Sequence, residues 1–331
     1  MNTIKSFFLL ISLLGFIHTA SSDTLSSRTD VKQFIDEMVN EHEFDEANLK
    51  NIFDQAKIRE SIIKAISRPA EAKPWYKYRP IFLTADRIKL GVKFLQENEE
   101  TLRRAEQKYG VPVEIIVAII GVETRYGKHA GKYKVINSLS TLAFEYPKRS
   151  RFFRSELKHF LLLCREQGLD PMQVKGSYAG AMGIPQFISS SYRSYAADFD
   201  SDNKIDIWDN PVDAIGSVGN YFKVHGWKAG EMVATRAEVE NDKYLAVLSK
   251  GLELHMNSSE LAQYGISGKQ MPEQDMKIKF LEYEQKKEPE FWLGFHNFYV
   301  ITRYNHSALY AMAVYQLSTE ILKKYNAQKS S

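Results

Sequence analysis

The sequence predicts a mainly helical protein of the α+β class, in which one small β-rich part interrupts the helices. Apolar residues recur at helical spacing over most of the chain, which is typical of helices with one buried face. Between residues 231 and 298 the pattern changes to short alternating runs, such as 252–256 and 277–283, with turn residues between them. The 331 residues are 44% hydrophobic, which is enough for roughly two or three structural units.

Charge and cysteine content argue against several classes of function. The 44 Lys and Arg against 41 Asp and Glu give a net charge of +3 without a basic block, so no nucleic-acid partner is expected. The single cysteine, Cys164, excludes an intramolecular disulfide and a multi-cysteine zinc site. The histidines show no HExxH spacing, and no Walker or dinucleotide-binding glycine motif occurs.

Residues 1–22 predict a secretory signal peptide. Lys5 precedes an apolar run over 7–17, and small residues follow at 19–22. The run is shorter than the roughly 20 residues that span a bilayer, so no membrane segment is expected after signal removal. No cysteine follows the run to accept a lipid. We therefore expect a periplasmic protein. We also expect a monomer.

The helices are predicted in order along the mature chain. Short helices are expected between 31 and 66, followed over 68–80 by a proline-containing aromatic segment that acts as a linker or wraps around the fold. A second helical block begins near Thr84, a candidate N-cap, and ends at Gly110. Residues 113–122 are apolar almost throughout, which predicts a buried helix. Further helices are predicted over 152–165, 213–222 and 307–322.

Glu123 is the first candidate for chemistry. It follows the apolar stretch 113–122 at the C-terminal end of a predicted helix, where burial and the helix dipole both disfavour a negative charge. Its pKa should be raised, and a carboxyl group that is protonated near neutral pH suits a general acid for a glycosidic oxygen. On local sequence alone, an alternative stays open in which Glu123 marks the solvent end of the helix and pairs with Arg125 or Lys128.

A glycine- and alanine-rich stretch, 176–187, is the second candidate. Small residues let the backbone approach a ligand closely. Ser177 and Gln186 offer hydrogen bonds, and Tyr178 and Phe187 offer flat faces, which together suit a sugar. The alternative is a tight structural loop between helices.

The acidic stretch 198–213 is the third candidate. Its Asp residues at the first, third and fifth positions follow the spacing of a calcium loop. Asn203 replaces the usual glycine and Asp209 replaces the usual glutamate, so a solvated acidic turn remains an alternative. We predict one structural Ca²⁺. The expected ligands are Asp198, Asp200, Asp202, Asp213 and the carbonyl of Lys204.

In chain order these motifs resemble the lytic transglycosylase B family of bacterial murein-cleaving enzymes. The resemblance rests on GVETR at 121–125, the stretch 176–187, the acidic loop with DAIGS at 213–217, and ITRYN at 301–305. It implies a lysozyme-like helical core with an N-terminal helical part and a small inserted β-rich part. The implied parts are an N-terminal helical part with the aromatic linker at 23–83, the catalytic core at 84–230, the β-rich part at 231–298 and a C-terminal core segment at 299–331.

The resemblance also implies a lytic murein transglycosylase acting on peptidoglycan glycan strands. Such an enzyme cleaves the β-1,4 bond between N-acetylmuramic acid and N-acetylglucosamine and leaves a 1,6-anhydromuramic acid end. Glu123 would be its single acid and base. The residues implied to bind the glycan are Tyr78, Ser177, Gln186, Phe187, Tyr221, Tyr304, Asn305 and Tyr310.

The number of carboxylates separates this chemistry from hydrolysis. A two-carboxylate muramidase needs a second acid about 5 to 9.5 Å from Glu123, and Glu145 is one candidate. If Glu123 acts alone, the N-acetyl group of the sugar can stabilise the cationic centre. The ionised Glu123 can then accept a proton from the 6-hydroxyl of the sugar. The muramidase and a non-catalytic peptidoglycan-binding or calcium-binding protein remain the alternatives.

Overall fold

The computed structural model describes residues 24–67 and 73–330. The predicted signal peptide and residues 68–72 of the predicted linker lie outside this part of the chain. In the described part no helix is long and apolar enough to cross a bilayer.

Helices account for most of the described structure. The α-helices are α1 (Thr29–His42), α2 (Glu46–Gln55), α3 (Glu60–Ile66), α4 (Trp75–Phe82), α5 (Ala85–Glu97), α6 (Glu99–Tyr109), α7 (Val113–Thr124), α8 (Val135–Glu145), α9 (Ser150–Glu166), α10 (Ser189–Tyr195), α11 (Pro211–Val224), α12 (His296–Tyr304) and α13 (Ala308–Lys329). The strands are β1 (Tyr133–Lys134), β2 (Lys175–Gly176), β3 (Ala234–Val239), β4 (Met256–Asn257), β5 (Ile266–Gly268), β6 (Lys277–Tyr283) and β7 (Glu290–Gly294). The mainly helical fold class with a small antiparallel sheet is confirmed.

Tertiary contacts divide the chain into two compact units, one up to Asp54 and one from Gln55 onward. The first unit contains α1 and most of α2. Most of its large apolar side chains are buried, and the rings of Phe34 and Phe53 pack edge to face with centroids 5.8 Å apart. The part boundaries predicted at 83, 230 and 298 stay predictions.

Helix α7 is the central helix of the second unit. It packs against α13, α5, α6 and α11. Its apolar side chains are buried on every face, as the sequence predicts for 113–122. The predicted N-cap is also confirmed, because the hydroxyl of Thr84 accepts a hydrogen bond of 3.1 Å from the backbone N–H of Arg87. Glu123 thus lies at the C-terminal end of a buried helix.

The β-rich part forms an antiparallel sheet of five strands in the spatial order β4, β6, β7, β3, β5. Its register places Thr235 opposite Leu293 and Leu281 opposite Trp292. The sheet has a hydrophobic core of its own, which includes Phe280. A second, two-stranded sheet pairs β1 with β2 at the start of the glycine-rich stretch.

Two local predictions are wrong. The prolines of the linker predicted over 68–80 were expected to break the helical pattern, yet helix α4 begins within it, and its Trp75 is buried and packs on Tyr283 with ring centroids 5.0 Å apart. Pro74 is tolerated as the N-cap residue. Pro80 deprives the carbonyl of Tyr76 of its helical donor, and α4 ends two residues later. Of the alternating run 252–256, only the last residue belongs to a strand, β4.

Candidate active site

Glu123 is the penultimate residue of α7 and remains partly exposed. Burial raises the pKa of its carboxyl group from 4.5 to about 7. The carboxyl group therefore exists in both protonation states near neutral pH. The alternative in which Glu123 pairs with Arg125 is wrong, because Arg125 forms its ion pair with Asp86.

Tyr310, in the first turn of α13, is the direct partner of Glu123. Its hydroxyl donates a hydrogen bond of 2.5 Å to Oε1 of Glu123. This bond favours the ionised carboxylate, so it lowers the pKa of Glu123 and opposes the effect of burial. Burial and the nearby charge of Glu123 raise the pKa of Tyr310 well above 10, which keeps its hydroxyl protonated. The N-cap Ser307 fixes this turn by accepting a 3.3 Å hydrogen bond from the N–H of Tyr310.

Thr124 connects the end of α7 to the glycine-rich loop. Its buried hydroxyl donates to the carbonyl of Ile184 and accepts from the N–H of Gly127, both at 2.9 Å. The C-terminal end of α7 is thus tied to the loop. Thr124 has no role in the sequence-based hypothesis. The available signal was a small polar residue directly after the carboxylate, at the end of an otherwise apolar helix.

Residues 176–187 form a loop that is held by its own side chains. The hydroxyl of Ser177 accepts a 3.0 Å hydrogen bond from the N–H of Ala181. The side-chain amide of Gln186 donates to the carbonyls of Gly183, at 2.9 Å, and Ala130, at 3.1 Å. Ser177 and Gln186 are partly exposed, so the hydroxyl proton of Ser177 and Oε1 of Gln186 are the atoms left for a ligand.

Three aromatic residues form one cluster beside the loop. The ring of Tyr304 lies 4.7 Å from that of Tyr221 and 6.0 Å from that of Phe187, measured between centroids. The hydroxyl of Tyr304 donates a 2.6 Å hydrogen bond to the carbonyl of Pro185. Burial raises the pKa of Tyr304, and the charge of Glu123 contributes, so the two groups are close. Phe187 and Tyr221 are buried and support the partly exposed Tyr304.

The remaining predicted glycan-binding residues lie on α4 and after α12. Tyr78 is buried, packs on Phe82 with centroids 5.2 Å apart, and contributes to the raised pKa of Tyr310. Asn305 follows α12 and is partly exposed. The fold therefore brings Tyr78, Tyr304 and Tyr310 together around Glu123 from distant parts of the chain. Contact of these residues with substrate stays a prediction.

Glu145 is poorly placed as a second carboxylate. It is exposed at the C-terminal end of α8. The glycine-rich loop contacts α8 at Ser138, whose hydroxyl donates a 3.1 Å hydrogen bond to the carbonyl of Ser177. Glu145 lies seven residues further along α8, a rise of about 10 Å. Among the described residues, no other carboxylate contributes to the raised pKa of Glu123.

The acidic loop brings three of the predicted metal ligands together. Carboxylate oxygens of Asp198, Asp200 and Asp202 lie within 4.8 Å of one another. Oxygen atoms bound to one Ca²⁺ at about 2.3 to 2.6 Å can be separated by up to roughly 5 Å, so this group fits the ion. The left-handed backbone of Asn203, with φ of 68°, supplies the turn that glycine supplies in other calcium loops.

Asp213 lies outside that group of three. Its carboxylate is buried and accepts hydrogen bonds from the N–H groups of Phe199, at 2.7 Å, and Asp206, at 2.8 Å. Asp213 thus joins the acidic loop to α11. The same loop reaches the candidate active site through its backbone, because the N–H of Ile184 donates a 2.8 Å hydrogen bond to the carbonyl of Ile207.

The chain is similar to proteins of known family. Residues 26–319 match the family described as the transglycosylase SLT domain. The chain is 44% identical over 306 residues to the membrane-bound lytic murein transglycosylase B of Escherichia coli (strain K12), a match that covers 89% of this chain and 83% of that protein.

Two solved structures are also close. The catenated lytic transglycosylase SltB1 of Pseudomonas aeruginosa is 49% identical in sequence and has a TM-score of 0.86. The match covers 90% of this chain and 98% of that one. The Escherichia coli lytic transglycosylase Slt35, solved in complex with calcium, is 44% identical in sequence and has a TM-score of 0.83. The match covers 91% of this chain and 95% of that one. The chain therefore belongs to the transglycosylase SLT domain family.

Proposed function

We propose that this protein is a lytic murein transglycosylase that uses Glu123 as its sole acid and base. The observation that carries this proposal is the carboxyl group of Glu123, whose pKa is about 7 and whose hydrogen-bonding partner is Tyr310. Membership of the SLT family and 44% identity to a lytic murein transglycosylase support the reaction type. The bond cleaved is the β-1,4 bond between N-acetylmuramic acid and N-acetylglucosamine.

In the first step the protonated Glu123 donates its proton to the glycosidic oxygen. The bond from that oxygen to C1 of N-acetylmuramic acid breaks, and the N-acetylglucosamine fragment leaves as an alcohol. The oxygen of the neighbouring N-acetyl group stabilises the positive charge that develops at C1. The hydrogen bond from Tyr310 becomes stronger as Glu123 acquires its negative charge.

In the second step the ionised Glu123 accepts the proton of the 6-hydroxyl of the same sugar. The 6-oxygen bonds to C1, which closes the 1,6-anhydro ring and regenerates the protonated enzyme. No water is consumed, so one group acts first as acid and then as base. A pKa of about 7 suits both roles, because neither protonation state is strongly disfavoured at neutral pH.

We assign roles to the predicted glycan-binding residues by their exposure. Tyr304, Asn305, Ser177 and Gln186 are partly exposed and suit direct contact with sugar hydroxyl groups and ring faces. Tyr78, Phe187, Tyr221 and Tyr310 are buried, so they hold the wall and the carboxyl group in place. Aromatic faces beside a few polar atoms are typical of carbohydrate sites.

We also propose that the acidic loop binds one structural Ca²⁺ through Asp198, Asp200 and Asp202, with Lys204 and Asp213 as further predicted ligands. The proximity of the three carboxylates and the calcium complex of Slt35 support this. The ion would offset part of the negative charge of the acidic loop, which holds Ile184 of the glycine-rich loop through Ile207. It has no part in the chemistry at Glu123.

We propose that the protein is exported to the periplasm, which the sequence of residues 1–22 supports, and that it is a monomer. Cell fractionation with N-terminal sequencing of the mature protein tests export and cleavage. Light scattering of the purified protein tests the monomer.

Mass spectrometry of digested murein tests the reaction. Products lighter by one water than hydrolysed muropeptides are expected from the wild type and from Glu145→Gln, and none from Glu123→Gln. Full-mass ends would instead establish the two-carboxylate muramidase. Intact murein with retained binding would establish a non-catalytic peptidoglycan-binding protein.

A further inference from the structure

The chain leaves α7 through three consecutive residues whose backbone is left-handed. The φ angles are 52° at Arg125, 61° at Tyr126 and 81° at Gly127. Glycine adopts this conformation without a steric cost, whereas residues with a large side chain do not, so Arg125 and Tyr126 are both strained. Such strain persists only where surrounding contacts more than offset it. We call residues 125–127 the left-handed segment.

The left-handed segment closes the last turn of α7. The N–H of Arg125 donates to the carbonyl of Gly121 at 3.2 Å, and the N–H of Tyr126 donates to the carbonyl of Ile120 at 3.3 Å. Glu123 lies in the chain between these donors and their acceptors. The position of its backbone therefore depends on the conformation of the left-handed segment.

The side chain of Tyr126 occupies a slot between α5 and α7. Its hydroxyl donates a 2.9 Å hydrogen bond to the carbonyl of Arg87, and its ring centroid lies 5.7 Å from that of Phe94. Burial raises the pKa of Tyr126, which keeps this hydroxyl protonated and able to donate. The walls of the slot are glycines, because a methyl group on either Gly91 or Gly121 would lie 2.5 Å from the hydroxyl oxygen. The slot thus fits this side chain tightly.

A second contact between the left-handed segment and α5 is weaker. Arg125 forms an ion pair with Asp86, in the first turn of α5. Both side chains are exposed, and exposed ion pairs contribute little to stability. The side chain of Tyr126 therefore provides most of the attachment of the left-handed segment to α5.

We propose that Tyr126 is a positioning residue for Glu123. Its side chain anchors the left-handed segment in the slot, and the segment holds the last turn of α7 so that Glu123 meets the hydroxyl of Tyr310. The slot also borders α13, the helix of Tyr310, because a methyl group on Gly91 would lie 2.6 Å from Cδ1 of Ile321. The effect of Tyr126 on glycan cleavage rests on the proposed function, whereas its effect on the position of Glu123 does not.

Gly121→Ala tests the slot. The three nearest neighbours of the added methyl group would all be atoms of Tyr126, the hydroxyl oxygen at 2.5 Å and Cζ at 2.6 Å among them. The ring must therefore shift, although alanine itself favours a helix more than glycine does. On glycan strands kcat should fall about tenfold or more, because a small displacement of a catalytic group is costly. KM should change less than about threefold, because the groups that bind the glycan are retained.

Two further variants identify the ring of Tyr126 as the cause. Tyr126→Asn removes the ring but keeps a residue that tolerates the left-handed backbone, so kcat should fall about tenfold or more as well. Gly121→Ala added to Tyr126→Asn should lower kcat by less than about a further twofold, because the ring that the methyl group displaces is absent. Asp86→Asn is the control. It removes the exposed ion pair with Arg125 and should change kcat less than about twofold.

A double-mutant cycle with Tyr310 separates positioning from a general loss of folded protein. If the left-handed segment holds Glu123 against Tyr310, then Tyr310→Phe should lower kcat less in the Gly121→Ala variant than in the wild type. Tyr126→Asn should give the same result in place of Gly121→Ala. A purely structural role predicts losses that multiply. Multiplying losses, or wild-type kcat in Gly121→Ala, would overturn the proposal.

Titration by NMR distinguishes failure of this proposal from failure of the proposed function. Carbon-13 spectra of protein labelled at the glutamate carboxyl groups give the pKa of Glu123, whose signal is identified by its loss in Glu123→Gln. Tyr310→Phe should raise that pKa in the wild type and leave it unchanged in Gly121→Ala, where the hydrogen bond is already lost. This result would support the role of Tyr126 even if no variant cleaves murein. Equal shifts of the pKa in both backgrounds would contradict that role.

Discussion

The hydroxyl of Tyr310 lies 2.5 Å from Oε1 of Glu123, although 187 residues separate the two in the chain. Burial alone would keep this carboxyl group neutral, and the hydrogen bond from Tyr310 favours its charged form. The balance leaves the pKa of Glu123 at about 7. Two opposing effects from different helices thus produce a group that can both donate and accept a proton at neutral pH.

Glu123→Gln should abolish glycan cleavage while binding of murein is retained. An amide has nearly the shape of a carboxylic acid but no proton to donate, so a general-acid step worth about 10²- to 10⁴-fold is lost. Release of muropeptides from sacculi measures the activity, and co-sedimentation with sacculi measures binding. Glu145→Gln is the control and should retain most activity. More than about a tenth of wild-type activity in Glu123→Gln would place the acid elsewhere.

The pH dependence of kcat/KM should have a single descending limb. The free enzyme must carry a protonated Glu123, so kcat/KM is expected to fall above pH 7, by about tenfold per pH unit well beyond the pKa. No second group has to be ionised. Initial rates on soluble glycan strands between pH 4 and 9 check this. An ascending limb near pH 4 to 5 would instead indicate a second, ionised carboxylate.

Tyr310→Phe should raise the pKa of Glu123 above its wild-type value. The variant removes the hydrogen bond that stabilises the carboxylate and keeps the buried ring. The descending limb of kcat/KM should therefore move to higher pH. In addition, kcat should fall, because the carboxylate that accepts the proton is no longer stabilised by this hydrogen bond. Tyr325→Phe is the matched control on the same helix, since its hydroxyl bonds Glu99 instead. A limb that stays at the wild-type pH would show that Tyr310 does not control the ionisation of Glu123.

Features that depend on local spacing could be predicted from the sequence. The buried helix α7 follows from the apolar stretch 113–122, and the clustering of Asp198, Asp200 and Asp202 follows from an Asp at every second position. Helix α4 could not be predicted in this way, because two prolines indicate a break. Its buried aromatic residues, Trp75 and Tyr78, nevertheless pack in a helix.

Contacts between distant segments could not be predicted from local patterns. Tyr310 was expected only because the resemblance to the family implies it, and no local pattern around it indicates a role. The hydrogen bonds of Thr124 to the glycine-rich loop and of Tyr304 to Pro185 depend on where α7, α12 and the loop meet. Ser177 and Gln186 were expected to face the ligand, yet most of their hydrogen bonds hold the loop itself.

Glu123 should also make the stability of the protein depend on pH. Its pKa is about 7 in the folded protein and near 4.5 when unfolded, so its contribution to stability is present below pH 4.5 and is lost as pH rises through 7. The loss amounts to at most roughly 3 kcal/mol. Glu123→Gln cannot ionise, so its free energy of unfolding relative to wild type should increase between pH 4 and pH 8. Urea unfolding at both pH values measures this, and an unchanged difference would contradict the raised pKa.

Calcium should stabilise the wild type through the acidic loop. Asp198, Asp200 and Asp202 repel one another, and a divalent ion bound only by the folded protein removes that repulsion. The free energy of unfolding should rise by about 2.7 kcal/mol when free calcium exceeds its dissociation constant a hundredfold. Thermal unfolding of metal-stripped protein, with and without millimolar calcium, measures the shift. Asp198→Ala combined with Asp202→Ala should abolish it and leave cleavage by Glu123 largely intact.

Asp209→Ala is the control. It removes an exposed carboxylate outside the group of three and should retain the shift. A melting temperature that calcium leaves unchanged in the wild type would identify residues 198–213 as a solvated acidic turn.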